Sequence, residues 1–154
     1  MKRINVKTLL LSLVPSLAVG GLAALLTGAG GDFYETVNKP ALSPPPWLFP
    51  VVWTVLYILM GVSLCLVTES GRGTRLAYLI YSVQLAVNFV WSLVFFNSRE
   101  FLAAAILIVI LWALILAMIA SFHKIRPAAA YLQLPYFFWV TFAAYLAWAI
   151  YRLN

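Results

Sequence analysis

Ten basic and four acidic side chains interrupt this sequence only at the borders of five uncharged stretches: 8–31, 40–68, 76–98, 101–123 and 127–151, with His123 counted as neutral. A helix needs about 20 apolar residues to cross a hydrocarbon core about 30 Å thick. Each stretch therefore holds one crossing, and none holds two. Backbone N–H and C=O groups in lipid must be bonded within their own segment or within a closed barrel. A barrel shows alternating segments of about ten residues, whereas these stretches are continuously apolar. A soluble fold is excluded by the same arithmetic. Charged residues make up 9% of the 154 and apolar ones 65%, against about 25% and about 45–50% in soluble domains. The expected architecture is an all-α integral membrane protein, a single domain (1–154) built as a bundle of five transmembrane helices. They span approximately 7–28, 47–68, 75–96, 101–122 and 128–151, with a long connection at about 29–46.

The first stretch follows Lys2, Arg3 and Lys7, as a secretory signal would, but its apolar part exceeds the 7–15 residues of a signal core. It also carries Ser16, Gly20, Ala24 and Gly28 at four-residue spacing. Such a stripe lets a neighbouring backbone approach closely, so the segment reads as a retained helix. A second stripe, Ala113, Ala117 and Ser121, lies on the fourth helix. Either could pack within the bundle or form a dimer contact, and packing within the bundle is the default expectation. Five crossings place the termini on opposite sides. Lys2, Arg3, Lys7, Arg72, Arg75, Lys124 and Arg126 then share one side, with Lys39, Arg99 and Arg152 on the other. The positive-inside bias predicts a cytoplasmic amino terminus, and the expected location is a bacterial cell membrane.

The polar inventory excludes several function classes. No Asp, Glu, Lys or Arg lies well inside any stretch. Pumps, ion-coupled carriers and voltage sensors rely on such groups to carry charge across the barrier. His123 has no second ligand nearby and reads as an interfacial residue rather than a metal or haem ligand. The single cysteine, Cys65, sits among leucines and reads as packing. No hydroxyl has an adjacent base, so neither a nucleophile–base pair nor any other conventional catalytic constellation is present. The basic residues form no patch with interleaved aromatics, and no nucleic-acid partner is expected. The partner is the lipid bilayer.

What remains is a set of aromatic and amide side chains at helical spacing. Gln84, Asn88, Trp91 and Phe95 form one stripe on the third helix. Side-chain amides in lipid are costly unless bonded, so Gln84 and Asn88 should face the interior. There they either bond neighbouring helices and fix packing, or line a cavity. Trp53 and Tyr57 lie one turn apart on the second helix, and Tyr136, Trp139 and Ala143 follow Pro135 on the fifth. Trp47, Trp148 and Tyr151 fall near span ends, where an aromatic belt explains them. Three indoles on three helices, with two amides, suit a large, flat, apolar ligand with weakly polar edges: a tetrapyrrole, a sterol or a polycyclic drug. The first connection carries Phe33, Tyr34, Lys39 and the run Pro44-Pro45-Pro46. Because proline fixes φ, it reads as a stiff flap, with Lys39 placed to meet a carboxylate at the rim, or as a plain connector.

These residues together resemble a known family. Tyr34-x3-Asn38-Lys39-Pro40-x3-Pro44-Pro45, Trp53-x3-Tyr57, Gln84-x3-Asn88-x2-Trp91-x3-Phe95-Phe96 and Pro135-Tyr136-x2-Trp139 resemble the TspO/MBR family, the tryptophan-rich sensory proteins and their translocator-protein (peripheral-type benzodiazepine receptor) relatives. The resemblance implies a five-helix bundle, often homodimeric, with a ligand pocket under the first loop. The implied ligands are porphyrins such as protoporphyrin IX, haem-pathway intermediates, sterols and synthetic isoquinolines or benzodiazepines. It assigns ligand contacts to Tyr34, Pro44, Trp53, Gln84, Asn88, Trp139 and Ala143, beside the candidates Lys39, Tyr57, Trp91, Phe95 and Tyr136 read from the residues themselves. No cofactor is required.

The implied role is a receptor or sensor that regulates tetrapyrrole level or transport. The alternatives are a tetrapyrrole transporter and a light- and oxygen-dependent porphyrin-degrading enzyme acting through Trp53 and Trp139. Phe33 stands where the family usually has tryptophan. Trp148 occupies the tyrosine position of the weak sterol pattern, so tetrapyrroles are expected ahead of sterols.

Overall fold

In the computed structural model, which describes residues 4–154, Asn5 opens the first helix by accepting a hydrogen bond from the Lys7 N–H (2.9 Å), a side-chain cap of the usual kind. Helix α1 (Val6–Thr27) ends where Gly28, Ala29 and Gly30 all take positive φ. Glycine reaches that conformation without penalty. At Gly30 it is also demanded by space, because a Cβ there would meet the Phe96 ring at 2.6 Å. The chain then enters a short helix, α2 (Gly31–Thr36), and an irregular segment to residue 47. The expected flap at 29–46 is thus helical in its first third. Asp32 sits in the first turn of α2, where a carboxylate favours the helix dipole.

Helix α3 (Leu48–Glu69) starts directly after the proline run, and Thr74 caps α4 (Arg75–Leu93) by accepting from the Ala77 N–H at 3.1 Å. Beyond Leu93 the fourth helix widens into a π turn (Val94–Ser98) and stops at Arg99, φ 55°. The longest helix, α5 (Phe101–Ile125), presents Ala104, Ile108, Leu111, Ile115, Met118 and Phe122 to the interior, all fully buried. Their alternating spacing of three and four makes one continuous face. Helix α5 is the mast on which α4 and α7 pack, while α1 packs on α3 and α4.

The fifth span departs from the expected continuous helix at 128–151. It is a short α6 (Pro127–Tyr131), a break, and α7 (Leu134–Leu153). Pro135 explains the break: it has no N–H to offer the Tyr131 carbonyl, and its ring crowds that carbonyl. The other bounds differ from expectation by a few residues at their ends. Among the described residues five segments are long and apolar enough to cross a membrane, so this is a multi-pass membrane protein.

The small-residue stripes separate into two cases. On α1, Ser16 is fully buried, and a Cβ on Gly20 would meet the Tyr57 ring at 2.4 Å. That part of the stripe is where α3 approaches. On α5, Ala113 and Ala117 are exposed and Ser121 is half-buried, so this stripe faces away from the bundle, contrary to the default expectation. The interior face of α5 is the larger apolar row that begins at Ala104, and the two faces cannot both point inward.

The two ends of the bundle are distinct. Ile4, the α3–α4 turn at Glu69 to Arg72, and the α5–α6 turn at Ile125 and Arg126 surround one recess. At the other end Asn38 and Asn154 bond to each other. Lys7, Arg72, Arg75, Lys124 and Arg126 thus gather at the first end, and Lys39, Arg99 and Arg152 at the second. Lys2 and Arg3, counted with the first group from sequence, lie outside the described residues. Trp47, Trp148 and Tyr151 are exposed near span ends, as belt residues are. His123 is exposed at a span end beside the Tyr131 ring, and Cys65 is fully buried.

Candidate ligand-binding site

The α4 stripe faces inward along its whole length: Gln84, Asn88, Trp91 and Phe95 are all at least 95% buried. It divides into a polar tier and an aromatic tier. In the polar tier the Tyr57 hydroxyl donates to Asn88 Oδ1 (2.7 Å), Asn88 Nδ2 donates to the Tyr136 hydroxyl (2.9 Å), and that hydroxyl donates to Gln84 Oε1 (2.9 Å). Gln84 Nε2 faces the Met60 sulfur at 4.0 Å. One chain of bonds joins α3, α4 and α7. Groups that would be costly if left unpaired in an apolar interior are satisfied by one another. The two amides are therefore helix-to-helix ties, and their main polar capacity is already engaged.

The aromatic tier lies toward the first connection. Trp91 stacks on Phe95 (centroids 5.3 Å, planes 15° apart), and Trp53 leans on Trp91 at 6.2 Å. From the connection, Tyr34 meets Phe49 edge-on at 5.1 Å, and Phe49 meets Trp139 at 5.9 Å. Between these rings, with Phe96 and Ala143 on the walls and Leu146 and Ile150 toward the lid end of α7, is a slot of about 20 Å³. That volume admits about one water molecule. A second recess of about 70 Å³ opens toward α1, lined by Gly20, Ala23, Thr27 and Tyr57. Phe49, Trp53, Trp91 and Phe96 line both spaces, so these rings form a partition. Trp139 also lines an outer groove between α3 and α7 with Val52, Val55 and Phe142, and so separates the slot from the bilayer.

Polar atoms in this tier are few. The indole nitrogens of Trp91 and Trp139 are buried with no hydrogen-bond partner. The hydroxyls of Tyr34 and Ser43 are buried beside each other, each within reach of the other.

The connection is held down at two points. Lys39 Nζ donates to the Tyr34 carbonyl oxygen and stands 4.5 Å above the Tyr34 ring. The Asn38 N–H donates to Asn154 Oδ1 (3.1 Å), and Asn154 Nδ2 donates to the Asn38 carbonyl (3.0 Å) and to that of Ile150 (2.8 Å). The lid is thereby latched to the end of α7.

Of the residues expected at the site, Tyr34, Trp53, Trp91, Phe95, Trp139 and Ala143 line the slot. Tyr57 lines the adjoining recess. Gln84, Asn88 and Tyr136 lie outside both linings, in the polar tier. Lys39 is exposed on the lid, and Pro44 is half-buried there without lining the slot. Phe33 does not line the slot but packs behind its wall, against Phe95, Phe96 and Phe101. Phe49, Leu146 and Ile150 line the slot without having been singled out from sequence. Their spacing offered a signal. Phe49 precedes Trp53 by four, and Leu146 and Ile150 continue the rhythm of Tyr136, Trp139 and Ala143.

Fold and site together define a five-span membrane protein that carries a small, partly open aromatic slot under its first connection. The chain belongs to the TspO/MBR family, whose sequence pattern matches residues 11–152. It is 37% identical to the tryptophan-rich protein TspO of Chlorobaculum tepidum, over 97% of this chain and 98% of that one. It is 35% identical to protein CrtK of Rhodobacter capsulatus, over 80% and 79%. It is 31% identical to the human translocator protein, over 93% and 87%.

Proposed function

We propose that this protein is a membrane receptor or sensor for porphyrins and related flat apolar ligands, held in the slot beneath the first connection, and that it regulates tetrapyrrole level or transport. The observation that carries the reading is the slot itself, walled by Tyr34, Trp53, Trp91, Phe95, Trp139 and Ala143 from four separate segments and roofed by a latched lid. Stacking faces on several sides favour a conjugated ring. Drug-sized ligands occupy roughly 300–1,000 Å³, far more than the closed slot offers. Binding therefore requires the Trp53–Trp91 partition to shift, merging the two recesses, or the lid to lift. In this reading Tyr57 and Pro44 border the enlarged space and Lys39 meets an anionic edge at the rim. Gln84, Asn88 and Tyr136 set the floor. The reading extends to a homodimer in a bacterial cell membrane with a cytoplasmic amino terminus. The orientation is supported by five basic residues against three at the two ends, among the described residues.

The test is a titration of purified protein with protoporphyrin IX in the dark, followed by tryptophan quenching. The expected result is saturable binding that weakens at least about tenfold in Trp53→Ala and Trp139→Ala, both of which remain folded. Equal affinity in wild type and variants would remove the slot from consideration. The placing of Trp53 and Trp139 on the slot wall also supports a second reading, light- and oxygen-dependent porphyrin breakdown. Illumination in air should then bleach the bound pigment, and the Trp53→Phe/Trp139→Phe double variant should not bleach it.

A further inference from the structure

Independently of the porphyrin reading, we propose that the recess at the end of the bundle opposite the lid holds the head group of an aminophospholipid. Arg72 and Arg126 take its phosphodiester, and Glu69 takes its primary ammonium. The recess measures about 300 Å³, against about 20 and about 70 Å³ for the aromatic slot and its neighbour. Its walls carry those two guanidinium groups and one carboxylate, with Ser70, Ile4 and Ile125 completing the lining. Local structure sets both arginines in place. Arg126 precedes Pro127, which disfavours the helical region for it; it is extended (φ −153°, ψ 105°) and ends α5. Its N–H donates to the Phe122 carbonyl (2.7 Å), and its own carbonyl accepts from the Ala129 N–H (2.9 Å). At the facing turn Gly71 takes φ 67°, which reverses the chain after α3. Ser70 Oγ donates to the Val67 carbonyl (2.6 Å) and accepts from the Arg72 N–H (3.1 Å). Ser63 Oγ ties the two sides together by donating from α3 to the Ala129 carbonyl of α6 (2.7 Å).

Glu69 and the two arginines share this recess without closing it, since among the described residues no ion pair joins them. Glu69 and Arg126 are half-buried, and Arg72 is exposed at the mouth. Glu69 ends α3 and Ile125 ends α5, both membrane-spanning segments. The recess therefore sits just outside the hydrocarbon core, at the level of lipid head groups. A phosphodiester is the anion at that level, and its oxygens match the planar donor fork of arginine. The carboxylate decides the rest. It repels a head group whose only charge is the phosphate. A primary ammonium offers it three donors, whereas a quaternary ammonium offers none. A free phosphodiester amine has the same chemistry, but acyl chains lying along the apolar spans hold a lipid head group at high effective concentration. Arg75 and Lys124, at the same end but outside the lining, attract anionic lipid without such selection.

The experiment measures lipid retention on the purified protein by native mass spectrometry, offering phosphatidylethanolamine, phosphatidylcholine and phosphatidylglycerol with identical acyl chains. The unaltered protein should retain phosphatidylethanolamine about fivefold better than either competitor, the upper range for exposed charge pairs. Glu69→Gln should bring phosphatidylethanolamine down to the phosphatidylcholine level and raise phosphatidylglycerol. The Arg72→Gln/Arg126→Gln double variant should lower all three, whereas Arg75→Gln should leave the preference for phosphatidylethanolamine unchanged. Equal retention of the three lipids by the unaltered protein overturns the inference, and no misfolded variant can produce that result. A preference for phosphatidylglycerol, weakened by Arg75→Gln as much as by the double variant, marks a general basic surface and overturns it as well. Glycerophosphoethanolamine, the head group without its chains, separates a lipid from a soluble phosphodiester. At equal concentration it should leave the lipid in place, and displacement of the lipid would overturn the lipid assignment.

Discussion

Tyr136→Phe isolates the polar tier from the aromatic one. It removes a single oxygen and keeps the ring, which packs 6.2 Å from Trp53. That oxygen donates to Gln84 and accepts from Asn88, both at 2.9 Å, and all three residues are fully buried. Side-chain hydrogen bonds in membrane proteins are worth about 0.6 kcal/mol on average and about 1.7 at most. Losing two of them costs about 1–3 kcal/mol, which matches the soluble-protein cost of one strongly desolvated orphan. Tyr57→Phe loses only the 2.7 Å bond to Asn88 and should cost about half as much. Unfolding equilibria in mixed micelles with rising dodecyl sulfate give the stability, and protoporphyrin titration of the same samples gives the affinity. Tyr136→Phe should lose stability by the stated amount while affinity changes by less than about threefold, a difference below 1 kcal/mol. A tenfold loss of affinity at unchanged stability would refute the reasoning, because it would mean the hydroxyl serves the ligand rather than the amides.

Three further outcomes follow from the geometry. Gly20→Ala puts a methyl group at 2.4 Å from the Tyr57 ring and should destabilise the bundle by about 1–3 kcal/mol, the usual cost of overpacking, measurable in the same micelle titration. Asn154→Ala removes the side chain that bonds Asn38 on both its N–H and its carbonyl. Stopped-flow release of protoporphyrin should become several-fold faster, each lost bond being worth about 0.5–1.5 kcal/mol, and unchanged release would show that the lid opens without breaking this latch. Ala143→Phe drives a ring into a slot of about 20 Å³; it should abolish protoporphyrin binding, and a fluorescence titration identical to wild type would place the ligand elsewhere.

Much of the architecture was legible along the chain because the constraints that set it are local. A span must be long enough to cross lipid and must satisfy its own backbone, so the borders set by Lys7, Glu69, Arg75, Arg99 and Arg126 locate all five crossings. The inward direction of Gln84 and Asn88 was legible too, since an amide facing lipid has no partner. The α2 turn of helix, the break before Pro135 and the outward-facing Ala113–Ala117 row were not, although Pro135 carried a signal for the break. Each depends on which of several locally acceptable conformations the neighbouring segments accommodate.

The sequence alone determined that this chain crosses a membrane five times with the Gln84 and Asn88 amides on an inner face, because bilayer thickness and hydrogen-bond satisfaction act segment by segment. Only the tertiary structure decided what those side chains do there. The relative rotation and height of α3, α4 and α7 bring the Tyr57 and Tyr136 hydroxyls onto the amides and leave the Trp91 and Trp139 nitrogens without a protein partner. Partner choice among polar groups on separate helices turns on differences of an ångström in how the helices meet, and the spacing within one helix does not encode them.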